Sequence, residues 1–146
     1  MIVVASDHGG FALKQEILDH LRERGEEFED IGTYTPDSCD YPDYAERAAR
    51  AVVAGTYEKG ILLCGTGIGM SIAANKVRGA RCALCFDGLS AELCRQHNDA
   101  NLLALGGRMI GPELAKRIVD RFLDTEFLGG RHNRRIGKFP EIESRN

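Results

Sequence analysis

No apolar run in the chain approaches the ~20 residues that a membrane-spanning helix requires. The opening residues Met1-Ile2-Val3-Val4-Ala5 also lack the basic-then-apolar signature of an exported protein. A cytoplasmic protein without membrane partners is expected. Positive charge is not in excess either: 19 Lys and Arg stand against 22 Asp and Glu, a formal net charge of −3, whereas a nucleic-acid-binding surface normally carries a basic field. A disulfide framework is equally unsupported. The five cysteines, an odd number, sit in apolar stretches such as Ile61-Leu62-Leu63-Cys64 rather than in turn-rich loops, and read as thiols in a reducing compartment. Repeats, linkers and low-complexity segments are missing, so the 146 residues imply one domain over 1–146, long enough to bury a core without covalent staples.

What is present is patterning. Ile2-Val3-Val4-Ala5 is a short β-branched run that stops at Asp7-His8-Gly9-Gly10, after which Phe11, Leu13, Ile17, Leu18 and Leu21 recur at helical spacing. A second strand is expected at Glu27–Ile31, then a polar loop containing Pro36 and Pro42, then an alanine-rich helix near Tyr44–Ala54 ended by Gly55. Strand three is expected at Gly60–Cys64, followed by a helix opened by Gly65-Thr66-Gly67-Ile68-Gly69 and running through Ala73 and Ala74. Arg81–Phe86 reads as strand four before a helix from Ser90, Asn101–Leu105 as strand five, Gly106-Gly107 as a turn and Pro112–Leu123 as an amphipathic helix. Such alternation predicts a three-layer α/β/α, Rossmann-like domain around a five-stranded parallel sheet, because parallel neighbours need crossover connections. Ligands of such sheets bind beyond the carboxyl ends of the strands. Asp7–Gly10, Cys64–Gly69 and Asp87-Gly88 all fall at that edge.

Cys64-Gly65-Thr66-Gly67-Ile68-Gly69-Met70-Ser71 joins a buried strand to a helix through three glycines, so that backbone N–H groups can surround a phosphate or an oxyanion. At the mouth of that turn Cys64 is placed to act as a base or nucleophile, or is a buried cysteine beside a tight turn. The turn lacks the Lys-Ser/Thr of a P-loop. As a dinucleotide fingerprint it has Met70 where the third glycine belongs, and it follows strand three rather than strand one. Cys82-x-x-Cys85 and Cys94-x-x-His97 imitate zinc-ligand spacing, yet residues three apart on a strand point to opposite faces and Ala83-Leu84 supplies no turn. Neither metal nor cofactor is expected. His97, beside Asn98, reads as an acid–base group or as a capping or surface residue, and Asp7-His8 as a sugar and phosphate contact or as turn chemistry. Arg131-His132-Asn133-Arg134-Arg135 is suited to gripping phosphate, or is a solvated tail.

Five segments follow one another along the chain: Ser6-Asp7-His8-Gly9-Gly10-Phe11-x-Leu13-Lys14, Asp40-Tyr41-Pro42, Cys64 through Lys76, Arg95-Gln96-His97-Asn98-Asp99-Ala100-Asn101, and Gly129-Gly130-Arg131-His132. With these segments in this order, the chain resembles across nearly its whole length the type B ribose-5-phosphate isomerase family, which includes allose- and galactose-phosphate isomerases. The resemblance implies strand order 2-1-3-5-4 and reversible conversion of ribose 5-phosphate to ribulose 5-phosphate in the pentose phosphate pathway. Cys64 would move the proton between C1 and C2, and Thr66 with the amides of Gly65, Gly67, Ile68 and Gly69 would stabilise the enediolate. His97 would open the ring, Asp7 and Asn98 would contact the sugar, His8, Arg108, Arg131 and Arg135 would surround the phosphate, and Tyr41 would shape the pocket. It further implies a homodimer with shared sites, or a tetramer, with residues 129–146 reaching a partner subunit. Galactose 6-phosphate isomerases of this family look divided between two subunits with incomplete motif sets, whereas Cys64 and His97-Asn98 occur together in this chain; the resemblance therefore favours a self-sufficient homodimer acting on a pentose phosphate, with allose 6-phosphate or galactose 6-phosphate as the alternative substrate. From a different class, a nonenzymatic sugar-phosphate or nucleotide-binding module would use the same glycine turn without needing Cys64 or His97.

Overall fold

The computed structural model describes residues 1–146. Five strands form, β1 (Ile2–Ser6), β2 (Phe28–Asp30), β3 (Lys59–Cys64), β4 (Cys82–Leu84) and β5 (Leu102–Gly106). All neighbours are parallel, in the expected order β2-β1-β3-β5-β4. The crossovers are α1 (Phe11–Arg24), α2 (Tyr41–Val53), α3 (Ile68–Asn75) and α4 (Gly88–Asn98); α5 (Pro112–Asp124) follows the last strand, and the chain ends in α6 (Arg131–Ile136) and α7 (Lys138–Ser144).

Strand alternation divides the interior into two layers. Ile2, Val4, Ile61, Leu63, Leu103 and Leu105 face α1, α4 and α5, meeting Ile17, Leu21, Ile118 and Phe122. Val3, Ala5, Leu62, Leu102 and Ala104 face α2 and α3, where Ala45, Ala48 and Ala49 present a flat surface. Both sides of β1, β3 and β5 are therefore covered, which is why those strands read as unbroken apolar runs. No helix is long and apolar enough to cross a membrane.

Three local expectations are corrected. Helix α2 begins at Tyr41 rather than Tyr44, with extended Asp40 preceding it and Pro42 in its first turn, where a missing N–H breaks no helical bond. Strand β4 stops at Leu84, not Phe86, because Asp87 caps α4 by accepting the Ser90 N–H at 2.6 Å and draws the chain out of the ladder. The segment Arg131–Arg135 is helical rather than a free tail: α6 lies against α4, and Glu143 of α7 accepts the Gly79 N–H at 2.7 Å. None of the residues of α7 is buried.

Candidate active site

The chain leaves β1 toward β2 on one side of the sheet and enters β3 on the other, so the loops after β1 and β3 part at the carboxyl edge and leave a crevice. The Asp7 carboxylate folds back to accept the Gly10 N–H at 3.0 Å, which closes the first loop. Gly10 has to be glycine: a Cβ there would lie 2.5 Å from the Leu63 backbone, and its absence seats the start of α1 on β3. The loop after β5 clamps the second one, with Gly107 N–H donating to Cys64 C=O at 2.8 Å and Arg108 N–H to Gly65 C=O at 2.9 Å. The Arg108 guanidinium lies over Gly65, 2.9 Å from where a Cβ would sit.

Within this frame the glycine turn does what its composition suggests. Gly67 adopts φ 79°, a conformation open to glycine at no steric cost. Its N–H donates to Cys64 Sγ at 3.1 Å. Thr66 Oγ1 accepts the Ile68 N–H at 3.2 Å, so the hydroxyl proton remains free to donate into the crevice. The next amides belong to the first turn of α3 and have no partner within the helix. The result is a cleft of about 350 Å³ with Cys64 at its floor, Gly65, Thr66, Ile68 and Gly69 along one wall, and Asp7, Tyr41 and Arg108 around the rim. The Tyr41 ring packs on Gly69, where a Cβ would come within 2.5 Å of Tyr41 Cζ. His8 adjoins the same loop and accepts the Cys39 N–H through Nδ1 at 3.3 Å.

One chain does not assemble the remaining expected residues at this cleft. Helix α4 runs from the carboxyl edge back to the amino edge, so His97, in its last turn, lies near the start of β5, while Cys64 is paired with Gly106 at the end of β5. The intervening strand alone spans ~13 Å. His97 instead stacks on His132 of α6, with ring centroids 4.5 Å apart. The His132 imidazole is held below its ordinary pKa by desolvation, reinforced by the charges of His97, Arg131 and Arg135. Asn98 lines a second cleft of about 570 Å³ between the β4 edge and α7. Arg131 and Arg135 are on α6 beside His132.

Four residues without an expected role support these groups. Ile72 lines the cleft although it is exposed. An apolar side chain facing outward on the first turns of α3 was its signal. Buried Arg95 donates to Asp99 Oδ1 at 2.8 Å and to Ala100 C=O at 2.6 Å, which fixes the turn after His97-Asn98; Asp99 itself occupies the left-handed region at φ 46°. Lys14 is completely buried. It falls in step with Ile17, Leu18 and Leu21 on the inward face of α1, a periodicity visible in the sequence. Cys82 and Cys85 point into opposite layers: burial pushes the Cys82 thiol up to about 12, whereas Cys85 shares a hydrogen bond with Cys94, which lowers Cys85 and raises Cys94.

The similarity to known proteins extends over nearly the whole chain. Residues 2–139 match the family model described as Ribose/Galactose Isomerase. The chain is 51% identical over 144 residues to ribose-5-phosphate isomerase B of Escherichia coli, covering 99% of this chain and 97% of that one. Among solved structures, ribose-5-phosphate isomerase B of Clostridium thermocellum superimposes with a TM-score of 0.97 at 53% identity, covering 99% of this chain and 97% of that one. The Thermotoga maritima ribose 5-phosphate isomerase superimposes with a TM-score of 0.94 at 54% identity, covering 96% and 97%. The chain belongs to the ribose/galactose isomerase family.

Proposed function

We propose that this protein interconverts ribose 5-phosphate and ribulose 5-phosphate by moving a proton between C1 and C2. The observation that carries the reading is Cys64 Sγ at the floor of the cleft, accepting the Gly67 N–H, in a chain half identical to a ribose-5-phosphate isomerase. In the open-chain aldose, the Cys64 thiolate removes the proton from C2. The electron pair forms the C1–C2 double bond, and the C1 carbonyl oxygen becomes the enediolate oxygen. Delivery of that proton to C1, with the O2 proton passing to O1, completes the ketose. The Thr66 hydroxyl and the open amides of the α3 first turn face the developing charge, donors already in place before it forms. Arg108 and Asp7 hold the ends of the substrate, converting binding into alignment over Cys64. Tyr41 closes the side of the cleft.

His97, Asn98, Arg131 and Arg135 enter the reaction from a second copy of the chain, in a homodimer with shared sites. Two features support this: none of these residues lines the Cys64 cleft of its own chain, and α7, with exposed Phe139 and Ile142, is uncovered in one chain. His97 then serves ring opening, and the two arginines bind phosphate.

Ketose formation from ribose 5-phosphate in excess chelator tests the chemistry. Cys64→Ala should lose ~10²–10⁴-fold in kcat, while chelator leaves wild type unaffected; a fully active Cys64→Ala would refute the thiolate base. Faster turnover of allose 6-phosphate would change the substrate but not the mechanism. Mixing and refolding inactive Cys64→Ala with inactive His97→Ala should restore about a quarter of wild-type activity, since half the dimers are mixed and each carries one intact site. No recovery would place both residues in one chain's site.

A further inference from the structure

Lys14 is among the largest side chains completely removed from solvent, and nothing in the isomerisation chemistry employs it. It leaves the first turns of α1, directly below the Asp7–Gly10 loop, and its N–H donates to Gly10 C=O at 2.9 Å. Its ammonium donates to Asp30 Oδ1 at 2.7 Å and to Thr33 C=O, between the rings of Phe11 and Tyr34, each with its centroid 5.6 Å away. Asp30 Oδ1 also accepts the Gly32 N–H at 2.9 Å, and Asp30 C=O accepts the Tyr34 hydroxyl at 3.0 Å. Segment 32–34 is stitched in turn to the end of β1, with Ser6 N–H donating to Gly32 C=O at 2.8 Å and Thr33 N–H to Ser6 C=O at 2.7 Å.

Stability alone does not call for this arrangement. A buried ion pair contributes little over an apolar substitute of similar size, because desolvation of both charges offsets their attraction. What it does supply is direction: one ammonium can satisfy the Asp30 carboxylate and the Thr33 carbonyl together only if the root of the β2–α2 loop lies where it does. From that root the loop crosses exposed residues 35–38 and delivers two groups to the cleft. Cys39 N–H reaches His8 Nδ1, and Tyr41 lays its ring on Gly69.

We propose that Lys14 is a positioning residue for substrate binding: through Asp30 and Thr33 it sets the β2–α2 loop, and through the loop it sets Tyr41 and His8. This rests on the isomerase reading above. Because Cys64 and Thr66 lie on a different loop, Lys14 acts on the capture of substrate rather than on proton transfer.

The test is Lys14→Met, which keeps the aliphatic stem and removes the donors, made in the full chain beside Tyr41→Ala and the double variant, with KM, kcat and thermal unfolding measured for each. Lys14→Met should raise KM for ribose 5-phosphate roughly tenfold, as loss of an outer-shell partner does elsewhere, with kcat within about threefold. The double variant should be no more than about twofold worse in KM than the worse single one, since both changes disturb the same contact. Should Lys14→Met fail to fold, Asp30→Asn and Asp30→Ala carry the test: the amide keeps an acceptor for the ammonium and restores KM to within about threefold, whereas alanine does not. Folded variants with wild-type KM, or effects that multiply in the double variant, overturn the assignment of Lys14 alone. A wild-type protein that turns over no sugar phosphate overturns the isomerase reading together with it.

Discussion

Replacing Gly106 by alanine adds one methyl group behind the cleft, at a residue that does not itself line it. The new Cβ would lie 2.5 Å from Thr66 O, 2.6 Å from its carbonyl carbon and 2.9 Å from its Cα, about 0.9 Å short of the 3.4 Å at which ordinary contact begins. All three atoms are backbone, so no rotamer change relieves the overlap. Strand β5 cannot retreat either, because Gly106 pairs with Cys64 and the adjacent Leu105 is completely buried. The glycine turn must therefore shift by close to 1 Å, and a misplacement of that size costs ~10²-fold in rate, or ~2.7 kcal/mol in the barrier. Overpacking should also remove ~1–3 kcal/mol of stability. The assay is steady-state ketose formation from ribose 5-phosphate, with urea unfolding alongside. Gly111→Ala serves as the control, because a Cβ there meets nothing within 4 Å, and its kcat should equal wild type. A folded Gly106→Ala enzyme retaining kcat within about threefold would refute the claim that the turn is held rigidly against β5.

Three further outcomes follow from the packing and the charges. Phe122→Ala, deep in the layer formed by α1, α4 and α5, should lose ~3–5 kcal/mol in urea unfolding with kcat of the folded fraction unchanged. Hydrogen bonding to Arg24 is the largest cause holding the Asp124 carboxyl below its usual range. A carboxylate depressed in the folded state stabilises above its unfolded pKa of ~3.9 and loses that contribution as pH falls through the folded value. Arg24→Met should therefore lower Tm at pH 7 and show a smaller deficit near pH 3, the effect staying below ~1 kcal/mol for each exposed pair. Thiol labelling at pH 8 should modify half-exposed Cys39 in the native protein and reach Cys94 only on unfolding, because Cys94 is buried, donates to Ala91 C=O at 3.1 Å and has its pKa raised by Cys85.

Legibility in the sequence varied with the number of buried faces. The central strands β1, β3 and β5 were readable because both sides are covered, leaving no polar residue to break the run. The edge strands β2 and β4 have three residues each, and their limits were overestimated: the caps that end them act through single hydrogen bonds such as Asp87 to Ser90. Pro42 was assigned to a loop because it cannot continue a helix, but it is well suited to begin one. Lys14 was passed over because a charge is expected outside; its register with Ile17, Leu18 and Leu21 carried the contrary information.

The chain order and residue types were enough to determine the alternating α/β architecture, the glycine turn that presents Cys64, and membership of a sugar-phosphate isomerase family, because each depends on local periodicity or on contiguous motifs. Tertiary structure alone decided that Gly106 braces Thr66 from behind and that Lys14 reaches across to Asp30 and Thr33. It also decided that His97 ends at the amino edge, a strand's length from the Cys64 of its own chain. These are relations between residues far apart in the chain. Periodicity reports which face of an element is buried, but not which other element covers it or at which end of the sheet a helix stops.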